Sequence, residues 1–396
     1  MARNLIILFD GTSNEIEEDR TNILRLYGTL KKEPEQIVWY DPGVGTFGAD
    51  NVWSQAYRKL TEIWGRLTGW GLDANVKDGY RFLVEHYDDG KRPDGRHEDP
   101  DRIILFGFSR GAYSARVLAG FINAFGLIHP VNLNLVDYAY RAYKGIGTRT
   151  GGDPADAAFA EIRLYERLLR PKRPAIHLLG LFDTVASVIE PGRFGPRLRS
   201  HAFTSRNPSV AAVRHAVAID ERRTLFSPQL WPEDQPNWGS PFPSGAETPQ
   251  DVREVWFTGV HGDIGGGYPE RESQLAKIPL DWMIEETEAL GVRYKRATVD
   301  RLVLGQGPEP GHYVAPDPLA RPHQSMNLFW RILEFVPRRA HGTVPPGRMS
   351  WRRWYIPGGA PRQIPDGARI HASVSARRNT PQDIPQPNIP EHSRRT

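Results

Sequence analysis

Residues 107–111 read Gly-Phe-Ser-Arg-Gly and fit the pattern G-x-S-x-G, in which a serine hydroxyl acts as the nucleophile of an acyl transfer. The pattern comes directly after the apolar run Ile103–Phe106 and directly before a helical pattern that starts at Ala112. This order of strand, tight turn and helix suits the chemistry, because Gly107 and Gly111 let the strand and the helix approach without Cβ clashes. The segment therefore predicts Ser109 as a nucleophile at the amino end of a helix.

A serine nucleophile needs a general base, and His261 is the histidine best placed to supply it. It follows the apolar run Glu254–Val260 and precedes a glycine-rich turn, which leaves space for its ring to swing over the serine. His215 is the main competitor, but it lies inside a predicted strand, whose alternation points its ring toward a packed face. We therefore predict His261 as the base and keep His215 and the nearby Asp263 as secondary candidates.

Two predicted strands between the nucleophile and the histidine end in aspartate, and both fit the chain order Ser, Asp, His. Asp220 occupies the commoner acid position by strand count, but its neighbours Glu221, Arg222 and Arg223 offer it surface ion pairs. Asp183 ends an apolar segment, where an unpaired carboxylate is costly to bury and so needs a dedicated partner. We favour Asp183 as the acid, with Asp220 as the alternative.

An acyl transfer also needs N–H donors for the oxyanion, and two loops are placed to provide them. One predicted donor is the backbone N–H of Arg110, which follows the nucleophile at a helix amino terminus. The second is Gly11 or Thr12, in the loop after the first strand. The same loop is close to the D-x-D-G-T pattern of aspartyl-phosphate phosphatases, but Leu8 stands where that chemistry needs an aspartate, so Asp10 remains only a secondary candidate.

Short apolar runs alternate with helical patterns along most of the chain and predict the elements that position these residues. Five of the six runs are followed directly by Gly or Asp, as is common at the ends of strands in a parallel sheet. This alternation predicts the α/β class, as an α/β-hydrolase-like, doubly wound, mostly parallel sheet with helices on both faces. The predicted strands are Leu5–Phe9, Ile37–Tyr40, Ile103–Phe106, Ile176–Phe182, Val213–Ile219 and Glu254–Val260, and the predicted helices are Asn22–Lys31, Leu72–Tyr87, Ala112–Phe125 and Pro154–Leu169.

The composition sets further bounds on this chain of 396 residues. It contains no cysteine, which excludes disulfides, thiolate metal sites and cysteine nucleophiles. The net charge is +4, but residues 321–396 hold 13 arginines against 4 acidic residues, so the basic character lies in the C-terminal fifth. We predict a catalytic domain over residues 1–305, a basic extension packed on it over 306–378, and a disordered tail over 379–396, which has four prolines and little apolar content.

With these segments in place, the chain resembles the α/β-hydrolase family that includes the catalytic domains of type VI secretion phospholipase effectors. The resemblance implies a hydrolase built on a serine, an aspartate and a histidine, here Ser109, Asp183 and His261. It also implies carboxylic esters or phospholipid acyl esters as substrates. The serine mechanism itself requires no metal or other cofactor. The matching segments run in order through the chain: Leu8–Asn14, Tyr40–Thr46, Tyr80–Leu83, Leu105–Arg116, Phe182–Ala186, His215–Glu221, Gly259–Tyr268 and Ile370–Val374.

The expected partner is a small-molecule or lipid ester, and no specific binding of nucleic acid is predicted. The basic, aromatic stretch Arg348–Tyr355 is either a strand with arginines in solvent or a contact with an anionic membrane. No classical secretion signal is visible, which is typical of a cytoplasmic protein or of one exported without a signal peptide. The alternative to an enzyme is a catalytically silent hydrolase fold that binds through its basic C-terminal region.

Overall fold

The structure of the protein is a computed structural model. It describes residues 2–11, 20–43, 71–146, 162–185, 188–192, 195–199, 201–239, 248–307, 312–339, 350–351 and 354–396. In chain order the strands are β1 (Asn4–Phe9), β2 (Gln36–Asp41), β3 (Arg102–Phe108), β4 (Ile176–Phe182), β5 (Val188–Gly192), β6 (Gly195–Arg199), β7 (Val210–Ala218), β8 (Pro236–Asn237), β9 (Thr248–Pro249), β10 (Asp251–Phe257), β11 (Arg338–Arg339), β12 (Ser350–Trp351), β13 (Trp354–Tyr355), β14 (Arg369–Ile370) and β15 (Arg394–Arg395).

Eight of these strands form the central sheet, in the order β15-β14-β10-β7-β4-β3-β1-β2. Every neighbouring pair in this sheet is parallel. The remaining strands form small antiparallel sheets, of which β11-β13-β12 is the largest in the described part of the chain. The α-helices are α1 (Asn22–Thr29), α2 (Leu72–His86), α3 (Arg110–Phe125), α4 (Val136–Ile146), α5 (162–169), α6 (His261–Gly265), α7 (Gln274–Glu288), α8 (Arg296–Leu302), α9 (Leu328–Glu334) and α10 (Ala372–Ala376).

The central strands are covered on both faces of the sheet, because their successive side chains pack into different apolar cores. In β1, Leu5, Ile7 and Phe9 lie in the core that also contains buried side chains of α2, α3 and α4. Ile6 and Leu8 lie in the core formed with α1, α7 and α8. Burial on both faces explains why the strands read as nearly continuous apolar runs, and the predicted α/β class with a parallel sheet is confirmed.

The register of the strands brings the predicted site residues to one edge of the sheet. Phe108, the last residue of β3, pairs with Phe182, the last residue of β4, so Ser109 and Asp183 leave the sheet side by side. Carboxyl ends of parallel strands are where open α/β sheets bind their ligands. The loop after β10 leads into α6, which begins at His261 and completes this edge.

The C-terminal residues differ from the predicted disordered tail. Arg394 and Arg395 form β15, which pairs with β14 at the edge of the central sheet. Gln386 donates to both carboxylate oxygens of Asp220, at 3.0 and 2.9 Å, and Asn388 donates to Ile219 O at 3.2 Å. The prediction of disorder over 379–396 was wrong, because hydrogen bonds to distant loops hold this segment and composition alone does not reveal them. The domain boundary at residue 305 stays a prediction.

Candidate active site

Ser109 occupies the sharp turn between β3 and α3, with a backbone φ of 58°. A positive φ is uncommon for a residue that has a side chain, and here two hydrogen bonds hold it. Ser109 N–H donates to Phe182 O at 3.0 Å, and Tyr113 N–H donates to Ser109 O at 3.2 Å. A Cβ on Gly107 would lie 2.5 Å from Ala112 N, so this glycine is required for the strand and the helix to approach.

We expect Gly111→Ala to lower the free energy of unfolding by about 3 kcal/mol, at the upper end of the usual cost of overpacking. A Cβ on Gly111 would lie 2.2 Å from Phe9 O and 2.5 Å from Asp10 O, which are backbone atoms at the end of a central strand. Gly145→Ala in α4 is the matched control, because a Cβ there meets nothing within 4 Å. Chemical denaturation measures both variants, and equal stability would contradict the steric requirement at Gly111.

Three side chains form a continuous chain of hydrogen bonds at this edge of the sheet. Ser109 Oγ lies 2.8 Å from His261 Nε2, and His261 Nδ1 lies 2.5 Å from Asp183 Oδ2. An ionised carboxylate only accepts hydrogen bonds, so Nδ1 carries the ring proton and Nε2 accepts from the serine hydroxyl. The structure thus brings together the three residues predicted from the sequence, in a geometry that allows a histidine to take the proton of a serine.

Asp183 is completely buried, and four nitrogen atoms from three residues contact its carboxylate. Besides His261, Ala218 N–H donates to Oδ1 at 3.0 Å, and the two terminal nitrogens of Arg362 lie 2.6 Å from Oδ1 and 3.0 Å from Oδ2. Burial by itself would raise the pKa of Asp183, but the Arg362 guanidinium and the His261 contact hold that pKa well below its usual range. Asp183 therefore remains an anion, able to orient the imidazole.

Arg362 is the first of two residues of this site that no sequence pattern indicated. Its side chain is buried, and its guanidinium also donates to Ala218 O at 2.9 Å and to Phe226 O. A bidentate arginine–carboxylate pair fixes orientation as well as charge. In the sequence, Arg362 is one of many arginines in a segment rich in glycine and proline, so no pattern distinguishes it from its exposed neighbours.

Asp220, the alternative acid, forms its hydrogen bonds with Gly259 and Gln386. Its Oδ2 accepts from Gly259 N–H at 2.7 Å, and Asp220 N–H donates to Gly259 O at 3.0 Å. Burial raises the pKa of Asp220, although the hydrogen bond from Gly259 opposes that rise. Asp220 thus holds the loop that leads to His261, whereas the carboxylate at the imidazole is that of Asp183.

Glu221, the next residue, is a second contributor that the sequence analysis did not single out. It is buried, and its Oε2 accepts from His261 N–H at 3.2 Å. Arg223 pairs with it at 2.8 Å. Burial favours the neutral form, but Arg223 lowers the pKa of Glu221 to about 2, so an anion faces the first turn of α6. The aromatic rings of Phe108 and Phe226 flank the imidazole, with centroid distances of 4.7 and 5.0 Å.

The two secondary candidates near the base have other partners. His215 is buried in β7, where its Nδ1 lies 2.7 Å from Glu254 Oε2 and its Nε2 accepts from Thr184 N–H at 3.2 Å. Both ring nitrogens are therefore engaged, and burial lowers the pKa of His215. Asp263 accepts from Val260 N–H at 3.0 Å and contacts His323 Nδ1 at 2.6 Å, which ties α6 to the C-terminal part of the chain.

The predicted oxyanion donors differ in their position and in their present hydrogen bonds. Arg110 is the first residue of α3, directly after Ser109. Gly11 N–H donates to Asp10 Oδ1 at 2.6 Å, so it would have to leave this carboxylate before it could bind an oxyanion. Asp10 also accepts from Thr21 and Tyr40 and thus organises the loop after β1. The other predicted donor, at position 12, lies outside the described residues.

The described residues carry neither a metal-binding cluster nor a membrane span. They contain no group of three or more His, Cys, Asp or Glu side chains arranged to hold a metal ion. None of their helices has the length and apolar character needed to cross a bilayer.

Comparison with known proteins places the chain in a family. The sequence profile described as the type VI secretion system phospholipase effector Tle1-like catalytic domain matches residues 3–286. The uncharacterized protein YEL023C of Saccharomyces cerevisiae is 34% identical over 238 residues, which cover 57% of this chain and 32% of that protein. This chain therefore spans about a third of the length of that curated relative.

Two solved structures show weaker similarity. An uncharacterized protein from Pseudomonas aeruginosa is 19% identical, with a TM-score of 0.39 and coverage of 74% of this chain and 46% of that one. A Tle1 effector bound to the VgrG spike of a type VI secretion system is 21% identical, with a TM-score of 0.33 and coverage of 69% and 53%. Because the family profile matches most of the chain, this protein belongs to the Tle1-like family of type VI secretion phospholipase effector catalytic domains.

Proposed function

We propose that this protein is a serine hydrolase that cleaves carboxylic esters, in particular the acyl esters of phospholipids, through an acyl-enzyme on Ser109. The observation that carries the proposal is the chain of hydrogen bonds from Ser109 through His261 to Asp183, at 2.8 and 2.5 Å. Family membership supports the ester and phospholipid substrate class. The positive φ at Ser109 and the full burial of Asp183 both cost folding free energy, and such costs are typical of a functional site.

In the proposed mechanism, the Ser109 hydroxyl gives its proton to His261 Nε2 as its oxygen bonds to the ester carbonyl carbon. The carbonyl oxygen becomes an oxyanion, held by the Arg110 N–H and by a second donor from the loop after β1. When this intermediate collapses, the alcohol leaves with the proton from His261, and the acyl group stays on the serine. Water then repeats the sequence, releasing a carboxylic acid and restoring the serine hydroxyl. The role of Asp183 is to hold the imidazole and stabilise its positive charge.

A fluorophosphonate probe tests this proposal directly, because it reacts with an activated serine. We expect the probe to label the wild type once per chain and to label Ser109→Ala not at all. Ser227→Ala is the matched control, since Ser227 is an exposed serine whose hydroxyl donates to Thr224 O, and its labelling should equal that of the wild type. Labelling that persists in Ser109→Ala would refute the assignment of the nucleophile. An unlabelled wild type would instead favour a catalytically silent fold.

The place where the protein acts is inferred from its family and not from the geometry of the site. We propose that a type VI secretion system exports the protein, which would need no classical signal peptide. A phospholipid bilayer is then the expected source of its substrate.

A further inference from the structure

The segment 328–336 exposes an unusual concentration of apolar side chains. Of the twelve large apolar side chains that are exposed in the described part of the chain, five lie within these nine residues. Single exposed apolar residues are ordinary, but a contiguous patch marks a surface that another molecule covers. We call this set the α9 apolar stripe: Leu328, Phe329, Ile332, Phe335 and Val336.

An ordinary surface helix turns its apolar side chains toward the core and its charged side chains toward solvent, and α9 is oriented the other way round. Leu328, Ile332 and Phe335 follow one another at helical spacing and are 75%, 61% and 69% exposed. Glu334, in contrast, is 1% exposed. Its carboxylate accepts from Thr224 N–H at 2.9 Å and from Thr224 Oγ1 at 2.6 Å. The helix is thus fixed by a buried carboxylate, with its apolar face directed outward.

This outward face adjoins the active site. Thr224, which binds Glu334, begins the short 3-10 helix Thr224–Phe226. The Phe226 ring contacts His261 at a centroid distance of 5.0 Å and Trp330 of α9 at 5.5 Å. One aromatic ring therefore separates α9 from the imidazole, so whatever covers the stripe lies next to the proposed nucleophile.

The charges around the stripe favour an anionic partner. Residues 328–339 contain a single carboxylate, that of Glu334, and it is buried. The same stretch contains three arginines, of which Arg331 is exposed and Arg338 pairs with Glu334 at 3.3 Å, so the stretch carries two positive charges in excess. Trp351 and Trp354, on strands β12 and β13 of the small sheet that contains β11, are also exposed, and interfacial tryptophans beside arginines are typical of contacts with lipid headgroups. They lie in the predicted basic, aromatic stretch 348–355, part of which is outside the described residues.

We propose that the α9 apolar stripe seats the enzyme on an anionic phospholipid bilayer, so that an acyl ester enters the site from the membrane side, beside Phe226. This inference rests on the proposed function. The apolar side chains supply the attachment, and the excess positive charge beside them, which includes the exposed Arg331, selects anionic headgroups. A second copy of the chain is the competing occupant of the stripe, but the positive charge beside the stripe does not favour it.

The test compares vesicles with a soluble ester. Vesicle binding is measured by co-sedimentation, in a Ser109→Ala background so that lipid is not consumed, with phosphatidylcholine alone or mixed with phosphatidylglycerol. We expect binding to the mixed vesicles, weakened by salt, and a loss of about 100-fold in affinity for Ile332→Ser/Phe335→Ser. The matched control is Val131→Ser/Leu168→Ser, which removes two equally exposed apolar side chains elsewhere and should bind like its parent.

The active forms are then compared by the ratio of their rates on mixed vesicles and on p-nitrophenyl butyrate, a soluble ester. The ratio should fall by about 100-fold for the stripe variant and stay constant for the control. A wild type that cleaves the soluble ester but does not bind vesicles, or a stripe variant with an unchanged ratio, would overturn the inference and leave the proposed function intact. Failure to cleave either substrate would defeat the proposed function itself. If light scattering shows that the stripe variant turns a dimer into a monomer, the occupant is a second copy and the membrane assignment is wrong.

Discussion

Asp183→Asn should lose about 10⁴-fold in kcat on a soluble ester, whereas Asp220→Asn should stay within about tenfold of the wild type. An amide at position 183 presents an N–H₂ group to the imidazole, which favours the ring tautomer with its proton on Nε2. That nitrogen then no longer accepts from the Ser109 hydroxyl, to which it lies at 2.8 Å in the wild type. Asp220 contacts the backbone of Gly259 instead of the ring, so its loss disturbs only the loop.

Steady-state rates at a temperature where both variants are folded provide the measurement. Folding is checked by circular dichroism, because Asp183→Asn also leaves the buried Arg362 without its anion. The double variant Asp183→Asn/Arg362→Met removes both charges, and it should recover stability without recovering activity. If Asp220→Asn proved the more damaging single change, Asp220 would replace Asp183 as the acid in the mechanism.

Arg362→Met is expected to lower the free energy of unfolding by about 3–5 kcal/mol, the usual cost of removing one partner from a buried ion pair. Asp183 would keep its burial and its hydrogen bonds from Ala218 and His261 but lose both contacts to the guanidinium. Arg362→Lys should restore part of the loss through charge alone, since an ammonium cannot make the bidentate contact. Arg378→Met, at an exposed arginine, is the matched control.

The effect of Arg362→Met should depend on pH in a definite direction. In the wild type the pKa of Asp183 is depressed by folding, so its contribution to stability is complete above the unfolded value of about 4 and is lost as the pH falls toward the folded value. The stability difference between wild type and variant should therefore be widest near neutral pH and narrow in acid. Denaturation curves between roughly pH 3 and pH 7 measure it.

The activity of the same variant distinguishes a positioning residue from a merely structural one. Without the guanidinium, the Asp183 carboxylate binds a proton more readily, and a protonated Asp183 no longer fixes the ring tautomer that accepts from Ser109, so the acid limb of the kcat/KM profile should move to higher pH. A loss of stability with no movement of this limb would show that Arg362 serves folding alone.

Much of the site was predictable because its signals are local. The G-x-S-x-G pattern around Ser109 is typical of a turn between a strand and a helix, so it predicts both elements. Asp183 directly follows a strand, and His261 follows the short loop after another. In a parallel sheet the carboxyl ends of neighbouring strands meet at one edge, so residues that directly follow these strands lie close together in space. The choice between Asp183 and Asp220 was harder, because both follow strands and only the structure shows which carboxylate contacts the ring.

The remaining features depend on contacts that no local pattern encodes. Arg362 reaches Asp183 across 179 positions, from a segment without helical or strand periodicity. No sequence pattern distinguishes Glu334, and its inward position follows only from its bonds to Thr224. The segment 379–396 has the composition of a disordered tail, yet β15 adds a strand to the sheet. In each case a specific partner elsewhere in the chain, and not the local sequence, determines where the residue or segment lies.

The distance along the chain between Arg362 and Asp183 has a consequence for biosynthesis. A polypeptide translated as far as His261 already holds the nucleophile, the base and the acid. It still lacks the counter-charge that lets the acid be buried as an anion. We expect such a nascent chain to be inert toward esters until residue 362 has left the ribosome and folded back, so the order of translation delays the onset of cleavage.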